Sequence, residues 1–557
     1  MPVEEYCLGL EALGQCAVSS DPLLSIGEAI AVAALLLGFY RFSSRLVQMR
    51  WRTRGISEKT VFTLVCVSFA FVFIGASLRL FGRPWTRVPV AGYPVSWEIA
   101  AGLLLAITAI VLGVIGLKQA RLKPRTAAHY LADSQDIVAA GDERALRELG
   151  REIEPAVAAV TAHCRDYRDR SAREGPVEAD AYTRACFALL DVWSDARFCN
   201  ALVCGCPDTV AAIVKALTEH AVHGDGAALG AELVNQAFAD ERSVLYSEAR
   251  VSGLRRQKAF LKSMFGDWEL VDSPVRPLAS WDVFRDSAIT ERKVQRWADA
   301  VESALGTFLE NGKHGEAVFR MRQGLETLNQ VCAAVLAERE RRAAPWVSVH
   351  DQVFEIAAAF RTIVKRIRTS NLPVPVETTV ENYDPLQDET LHGAIAEELF
   401  NFFGLICGSA DHEFLDWISM GPWKELFEEG ELTNNLRALQ VRVAYHLTLK
   451  VDDNLDPRRR FLPAVTRMLL VRYPLAVLEH NPKAVIAKDL EGYFVAALNE
   501  NFPQVWREDR AFAAQLLPDN VDYDEVKAVL RIRHSRRQTQ SLQLTRPHDE
   551  QKGSRKA

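Results

Sequence analysis

A short segment of cysteines and histidines is the strongest candidate for metal chemistry in this sequence. It contains Cys199, Cys204, Cys206, His220 and His223. Thiolate and imidazole groups are ligands that suit zinc. The spacing Cys-x4-Cys-x-Cys differs from that of paired Cys-x2-Cys knuckles, and Cys199 falls in a strongly helical pattern. Small cysteines buried in a helical core are therefore the competing interpretation.

No catalytic residues are predicted. The sequence contains neither Gly-x-Ser-x-Gly nor His-Glu-x2-His, and no glycine-rich phosphate loop follows a predicted strand. On this basis no cofactor is expected. An enzyme is the less favoured interpretation, although a helical active site that no motif marks stays open as an alternative.

Two carboxylates and two cysteines belong to the N-terminal region. Glu28 and Glu98 lie near the ends of apolar stretches. They are predicted either to reach interfacial water or to ring the mouth of a cation pathway. Cys7 and Cys16 precede the first apolar stretch, where an oxidising compartment would allow a disulfide between them.

Three apolar stretches position these groups. They cover residues 23–40, 60–78 and 99–117, with lengths of 18, 19 and 19 residues. At ~1.5 Å per residue, each helix would be roughly 27–29 Å long, which matches the hydrocarbon core of a bilayer. The sequence therefore predicts a unit of three transmembrane helices over residues 23–118.

The basic residues that flank these stretches predict the orientation of the unit. Ten lie in the loop 41–59 and in the segment 118–125, against three in the loop 79–98. Basic flanks stay in the cytoplasm, which predicts a multi-pass protein of the cell (inner) membrane. Residues 1–22 would lie outside the cell, and everything after residue 118 would lie in the cytoplasm.

Small residues recur along the third stretch. Gly102, Ala106, Ala109, Gly113 and Gly116 are spaced by 4, 3, 4 and 3 positions, which places them on one helix face. Small side chains let helix backbones approach closely in lipid, where no hydrophobic force drives association. We predict a helix–helix contact on this face, within the chain or between copies, and a homo-oligomer.

The remainder of the chain has helical periodicity. Apolar residues at i, i+3, i+4 and i+7 between short polar turns predict an all-α cytoplasmic region, either a bundle or an irregular α-solenoid. A break near 370–387, rich in proline and polar residues, divides it into domains 119–371 and 387–530. Glu525–Arg533 is predicted as the last helix. Residues 531–557 are basic and polar, which predicts a disordered tail.

The formal net charge of −6 over 557 residues is the sum of unlike parts. Residues 1–125 and 531–557 carry +6 each, and the region between them carries −18. Apolar residues make up 49% of the chain, which excludes a wholly disordered protein. The acidic helical body argues against a nucleic-acid partner, whereas the basic ends favour contact with anionic lipid.

These features favour a membrane-anchored interaction or signalling protein. Its helical module would bind a partner or ligand in the cytoplasm and couple to the oligomerising membrane unit. The expected partners are membrane lipid, further copies of the chain and a cytoplasmic protein. Two alternatives stay open: a pore-forming membrane effector gated by a ligand or partner, and a membrane-tethered enzyme.

Overall fold

The computed structural model describes most of the chain between residues 26 and 448 and part of it between 502 and 543. The described ranges are 26–80, 87–90, 93–175, 177–220, 226–250, 259–267, 270–271, 276–279, 282–285, 288–311, 316–342, 347–373, 380, 383–385, 387–407, 421–428, 432–448, 502–503, 506–507, 510–517, 521–527, 529–535 and 538–543. The disulfide predicted between Cys7 and Cys16 lies outside these residues.

The chain divides into two compact units, each of which is described by itself. Unit 1 comprises Met1–His163 and Arg170–Val192, and unit 2 comprises Cys164–Asp169 and Trp193–Ala557. The described residues are mainly helical, which confirms the predicted all-α class at this level.

Unit 1 contains three apolar helices, with a short basic helix between the first two, and continues with polar helices. Its elements are α1 (Ile26–Phe42), α2 (Arg45–Arg52), α3 (Glu58–Leu80), the antiparallel strands β1 (Arg87–Val90) and β2 (Tyr93–Ser96), α4 (Trp97–Leu117), α5 (Ala127–Ala140), α6 (Glu143–Glu174) and α7 (Ala181–Trp193). An internal segment of α6, Cys164–Asp169, and the last residue of α7, Trp193, belong to unit 2.

Local sequence explains the turn between α5 and α6. Gly141 ends α5 with a φ of 69°, a left-handed conformation that glycine adopts without the Cβ clash of other residues. The next residue, Asp142, caps α6, because its carboxylate accepts a hydrogen bond from the N–H of Ala145 at 3.1 Å. Glycine and aspartate in succession therefore stop one helix and start the next.

Helices α1, α3 and α4 pack around a small apolar core. Tyr40, Val61, Leu105 and Leu112 are buried there together with Trp51. The helices bury one side against each other and leave the opposite sides exposed. The exposed side chains include Leu35, Phe42, Phe73, Ile110 and Leu117.

One helix among the described residues is long and apolar enough to cross a membrane, at Ala100–Leu117. The number rises to three if each of two bent helix pairs counts as one span. Those pairs are Gly27–Phe42 with Arg45–Arg52, bent by 102°, and Ala196–Gly205 with Pro207–Glu219, bent by 118°. The second pair belongs to unit 2, outside the three predicted stretches.

Unit 2 is a succession of packed helices. Its elements are α8 (Ala196–Gly205), α9 (Pro207–His220), α10 (Ala227–Ala239), α11 (Val244–Arg250), α12 (Ala259–Phe265), the 3-10 turn Pro277–Ala279, α13 (Asp282–Arg285), α14 (Glu291–Asn311), α15 (Glu316–Arg342), α16 (Val347–Thr369), α17 (Leu391–Cys407), the π-helical turn Lys424–Glu428, α18 (Asn434–Thr448), α19 (Arg510–Leu516) and the strands β3 (Val521–Asp524), β4 (Val529–Ser535) and β5 (Gln538–Gln543).

Buried aromatic rings hold the first half of unit 2 together. Trp297 makes edge-to-face contacts with Phe238, Phe265 and Phe284 at centroid distances of 5.3, 6.4 and 5.7 Å. Further along the chain, α17 packs against α15 and α18. Helices from both sides of the break at 370–387 thus pack within one unit. The division into domains 119–371 and 387–530 stays a prediction.

The helix predicted at Glu525–Arg533 is wrong. Within the described residues, Val521–Asp524, Val529–Ser535 and Gln538–Gln543 form an antiparallel sheet in the order β3-β4-β5. Strands β4 and β5 include the first residues of the tail predicted from residue 531. In β4, Leu530 and Ile532 alternate with Arg531 and Arg533, the period of two that a strand requires. The apolar run was too short for its periodicity to separate helix from strand. The basic residues beyond 543 lie outside the described part of the chain.

Candidate functional site

Helix α2 joins the apolar helices of unit 1 to the polar helices that follow them. It leaves α1 at a bend of 102° and contacts both α4 and α5. Ser44 caps its first turn, because the hydroxyl oxygen accepts from the N–H of Val47 at 3.4 Å. The residues of α2 that carry this junction are the consecutive Arg50, Trp51 and Arg52.

Arg50 connects α4 to α6. Its Nη1 donates to the carbonyl of Gly116 at 2.7 Å, and its Nε donates to Glu152 Oε1 at 2.9 Å. The Glu152 side chain is 1% exposed, and its other oxygen accepts from the N–H of Ala120. A buried carboxylate is stable as an anion only with such partners, so Arg50 and Ala120 together compensate Glu152.

Trp51 fixes α2 against α4. Its indole Nε1 donates to the carbonyl of Leu112 at 2.8 Å, and its ring stacks on Tyr40 with a centroid distance of 4.9 Å. Gly116 allows the close approach: a Cβ added there would lie 3.4 Å from both Val47 Cγ1 and Trp51 Nε1. A larger side chain at Gly116 would therefore push α2 away from α4.

Arg52 connects α2 to α5. Its Nη1 donates to Asp133 Oδ1 at 2.7 Å. The Asp133 side chain is buried, and burial raises the pKa of this carboxyl despite the opposing effect of Arg52. Arg50 and Arg52 thus form ion pairs with α6 and α5, and Trp51 between them binds α4. The short helix α2 is therefore bonded to three other helices. The contacts of α2 therefore link α4 to both α5 and α6.

The three cysteines of the predicted metal segment lie in α8 or directly after it. Cys199 is fully buried and its thiol donates to the carbonyl of Trp193 at 3.2 Å, while burial raises its pKa well above the usual value. Cys204 is half-buried and Cys206 ends α8. Among the described residues, no group of three or more His, Cys, Asp or Glu side chains could hold a metal ion. His223 and the side chain of His220 lie outside those residues.

The small-residue face of α4 is mostly exposed within the chain. Ala106, Ala109 and Gly113 are exposed, Gly102 is half-buried, and Gly116 alone of the five is buried, against α2. The contacts within the chain use the neighbouring face of α4, which buries residues 101, 105, 108 and 112. The predicted packing through small residues within the chain is thus limited to Gly116, and packing between copies stays a prediction.

The two candidate pore carboxylates lie in different helices. Glu28 is exposed in the first turn of α1. Glu98 is the second residue of α4, and its side chain is not described. The structure therefore leaves the choice between interfacial and pore-lining carboxylates open.

Unit 2 contains a buried polar network. Arg442 donates to Asp388 Oδ2 at 2.6 Å, with both side chains at most 5% exposed, and its guanidinium lies 5.1 Å from the ring centre of Tyr383. Gly393 makes room for the carboxylate, since a Cβ there would lie 2.6 Å from Asp388 Oδ2. These contacts hold the start of α17 to α18.

Two further buried groups of unit 2 titrate abnormally. His392 Nε2 lies 3.1 Å from Asn435 Oδ1, and burial lowers its pKa to about 4. Glu398 accepts from Asn329 Nδ2 at 2.7 Å, and burial raises its pKa to about 7. Perturbed pKa values are common at functional sites, but buried structural networks produce them as well.

Sequence reasoning missed the junction. Arg50 lies 102 positions from Glu152, and Arg52 lies 81 positions from Asp133, so no local spacing links the partners. One signal was present: α2 is a short, charged segment with apolar Leu46, Met49 and Trp51 at i, i+3 and i+5, directly after an apolar stretch. Comparison of the chain with protein-family models, with curated proteins and with solved structures found no match in any of the three.

Proposed function

We propose that this chain is a membrane-anchored interaction or signalling protein whose helical region couples to an oligomerising transmembrane unit. The observation that carries the proposal is the distribution of exposed apolar side chains together with the α2 junction. The exposed apolar surface and the charged helix α2 belong to the same compact unit. Helix α2 contacts the apolar helix α4 and the polar helix α5.

Exposed large apolar residues are concentrated on α1, α3 and α4. They include Ile30, Leu35, Phe39, Phe42, Phe62, Phe73, Leu103, Ile107, Ile110 and Leu117. Soluble proteins rarely expose contiguous apolar patches of this kind, and such patches mark membrane or partner contacts. Lipid tails would cover this surface without any partner protein.

The lengths of the three helices support the three predicted spans. Helices α1, α3 and α4 contain 17, 23 and 21 residues, so they would be roughly 25, 35 and 32 Å long at 1.5 Å per residue. The central part of α3, residues 60–78, carries no charged residue. Each helix is thus close to the length that a hydrocarbon core of about 30 Å requires.

Membrane insertion is tested by fractionation of cells that produce the full chain. We expect the protein to remain in the membrane fraction after extraction with alkaline carbonate and to require detergent for its release. The reason is that each span buries its apolar side chains in lipid. Protease added from the cytoplasmic side should digest the region after residue 118, and protease added from outside should not. Release by carbonate alone would overturn the proposal.

The small-residue face supports oligomerisation between copies. Gly102 and Gly113 have no atom within 4 Å of an added Cβ, so this side of α4 has room for a second helix. Close contact between small residues is the usual way in which helices associate in lipid. In this proposal the partner that binds the helical region would act on the oligomer through the α2 junction.

The double variant Ala106→Leu/Gly113→Leu is expected to convert the oligomer into monomer, because bulky side chains keep the helix backbones apart. Size-exclusion chromatography with light scattering in detergent measures the mass. The control Ile107→Phe/Val111→Phe adds bulk on the other exposed side of α4 and should leave the mass unchanged. A monomeric wild-type protein, or equal loss of mass in both variants, would refute oligomerisation through this face.

A further inference from the structure

A cationic cleft lies in unit 1 where α4 ends. Its volume is 510 Å³, and four of its lining residues are basic: Arg54, Lys118, Arg121 and Lys123. Pro155, Ala156 and Ala159 of α6 line the cleft as well, and no acidic residue lines it among the described residues. A cleft of this size is large enough for a small ligand or a lipid headgroup.

The positive charge of the cleft is not neutralised within the described part of the chain. Lys118, Arg121 and Lys123 are exposed and form no ion pair there. Arg54 donates through Nη2 to the carbonyl of Gln119 at 3.2 Å, while its buried Nε has no hydrogen-bond partner. Two carboxylates lie close to the lining residues of α6 in sequence. Glu152 is already bound by Arg50 and Ala120, and Glu154 directly precedes Pro155 without lining the cleft.

The position of the cleft relates it to the bilayer. Lys118 directly follows Leu117, which is 85% exposed. Leu117 is the last residue of the apolar segment Ala100–Leu117 in α4. If α4 crosses the membrane as proposed, the cleft opens at the depth of the inner-leaflet headgroups. Basic pockets at this level attract anionic headgroups, because phosphate oxygens accept hydrogen bonds from lysine and arginine.

We propose that this cleft binds the phosphate of an anionic phospholipid headgroup from the inner leaflet. The arginines supply paired donors for phosphate oxygens, and the lysines supply compact positive charges. Phosphate in a soluble molecule shares this chemistry, but the location at the end of α4 favours the lipid. The inference rests on the proposed function, since it requires α4 to lie in a membrane.

Native mass spectrometry of the detergent-purified full chain tests the site. The probes are short-chain phosphatidylglycerol, short-chain phosphatidylcholine and inorganic phosphate. We expect the wild-type protein to bind phosphatidylglycerol on the order of tenfold more tightly than phosphatidylcholine, and to bind inorganic phosphate far more weakly. The variant Arg121→Gln/Lys123→Gln should weaken phosphatidylglycerol binding roughly 10–25-fold, because each basic residue near an anionic lipid contributes roughly fivefold.

The matched control is Lys59→Gln/Arg125→Gln. It removes two exposed basic residues from the same predicted side of the membrane without touching the cleft lining. We expect a loss below about threefold, since general surface attraction is screened by salt. The charge-preserving Arg121→Lys/Lys123→Arg keeps one guanidinium and one ammonium group in the cleft, so it should bind phosphatidylglycerol within about threefold of the wild type. This result would assign the loss in the glutamine variant to the missing charges.

Three outcomes would overturn the inference: equal losses in the two charge-removing variants, no preference for phosphatidylglycerol, or displacement of the lipid by equimolar inorganic phosphate. Resistance to carbonate extraction keeps this failure distinct from failure of the proposed function. A protein that stays in the membrane but shows no lipid preference refutes the cleft alone, whereas release by carbonate refutes the membrane anchor.

Discussion

Arg50→Met is expected to lower the free energy of unfolding of unit 1 by about 3–5 kcal/mol, the usual cost of leaving one member of a buried ion pair without its partner. The Glu152 carboxylate is 1% exposed and would retain only the N–H of Ala120 as a donor. Denaturant unfolding of the full chain in detergent, followed by hydrogen exchange in α2 and α6, measures the change.

The double variant Arg50→Met/Glu152→Leu provides the decisive comparison. It removes both charges, and apolar replacement of a buried pair is often close to neutral. We expect it to recover most of the stability that Arg50→Met loses. The control Arg144→Ala breaks the exposed pair with Glu148 and should cost below about 0.5 kcal/mol. A loss for Arg50→Met no larger than for Arg144→Ala would contradict the role assigned to the junction.

The second large effect is a pH dependence of unit 2 that comes from Glu398. Its pKa of about 7 in the folded protein lies above the usual value of 4.5. Between these pH values the folded protein binds a proton that the unfolded chain has released, so the stability contributed by this group falls as the pH rises. Glu398→Gln should therefore be more stable than the wild type by about 2–3 kcal/mol at pH 8 and about equal to it at pH 4.5.

His392 acts in the opposite direction. Its pKa of about 4 in the folded protein lies below the usual 6.5, so the unfolded chain binds a proton first and stability falls as the pH is lowered through this range. Between about pH 4.5 and 6.5 the two groups offset each other in the wild type. Glu398→Gln should remove the pH dependence that comes from Glu398 and leave the one that comes from His392. The stability of this variant should therefore fall steeply from pH 6.5 to pH 4.

Hydrogen exchange in α17 of the full chain, measured from pH 4 to pH 8 and corrected for the intrinsic exchange rate, gives the change of stability with pH. Glu310→Gln is the control, because it removes a carboxylate from an exposed position of the same unit. We expect it to change stability by less than about 0.5 kcal/mol at every pH. Identical pH profiles for Glu398→Gln and the wild type would show that Glu398 is charged in the folded protein at neutral pH.

The helical class could be predicted from the sequence because helix periodicity is local. Asp142 and Gly141 mark a helix boundary within one residue of where it lies, since capping depends on side chains a few positions away. The terminal sheet could not be predicted in the same way. Leu530 pairs with Tyr523 and Leu542 across strands, and both partners lie beyond the spacing of three or four residues on which helix periodicity depends.

The junction shows the same limit for the candidate site. Arg50 and Arg52 look like ordinary basic flanks of an apolar stretch, and as flanks they predict only the orientation of that stretch. Their partners lie on α5 and α6, and nothing in the sequence of Asp133 or Glu152 distinguishes them from exposed carboxylates. Both side chains are 1% exposed in the structure, and this burial is what distinguishes them from the exposed carboxylates of the chain. Burial is a property of the fold.

The bend after α1 has a mechanical consequence. The Gln48 amide donates to the carbonyls of Tyr40, Arg41 and Ser43 at 3.4, 3.2 and 3.1 Å. These lie at the end of α1, where helical carbonyls have no partner in the next turn. These hydrogen bonds therefore fix the end of α1. In the proposed setting α1 can match a thinner bilayer by tilting, whereas a thicker bilayer must thin around it. Any tilt of α1 would turn α2 against α5 and α6.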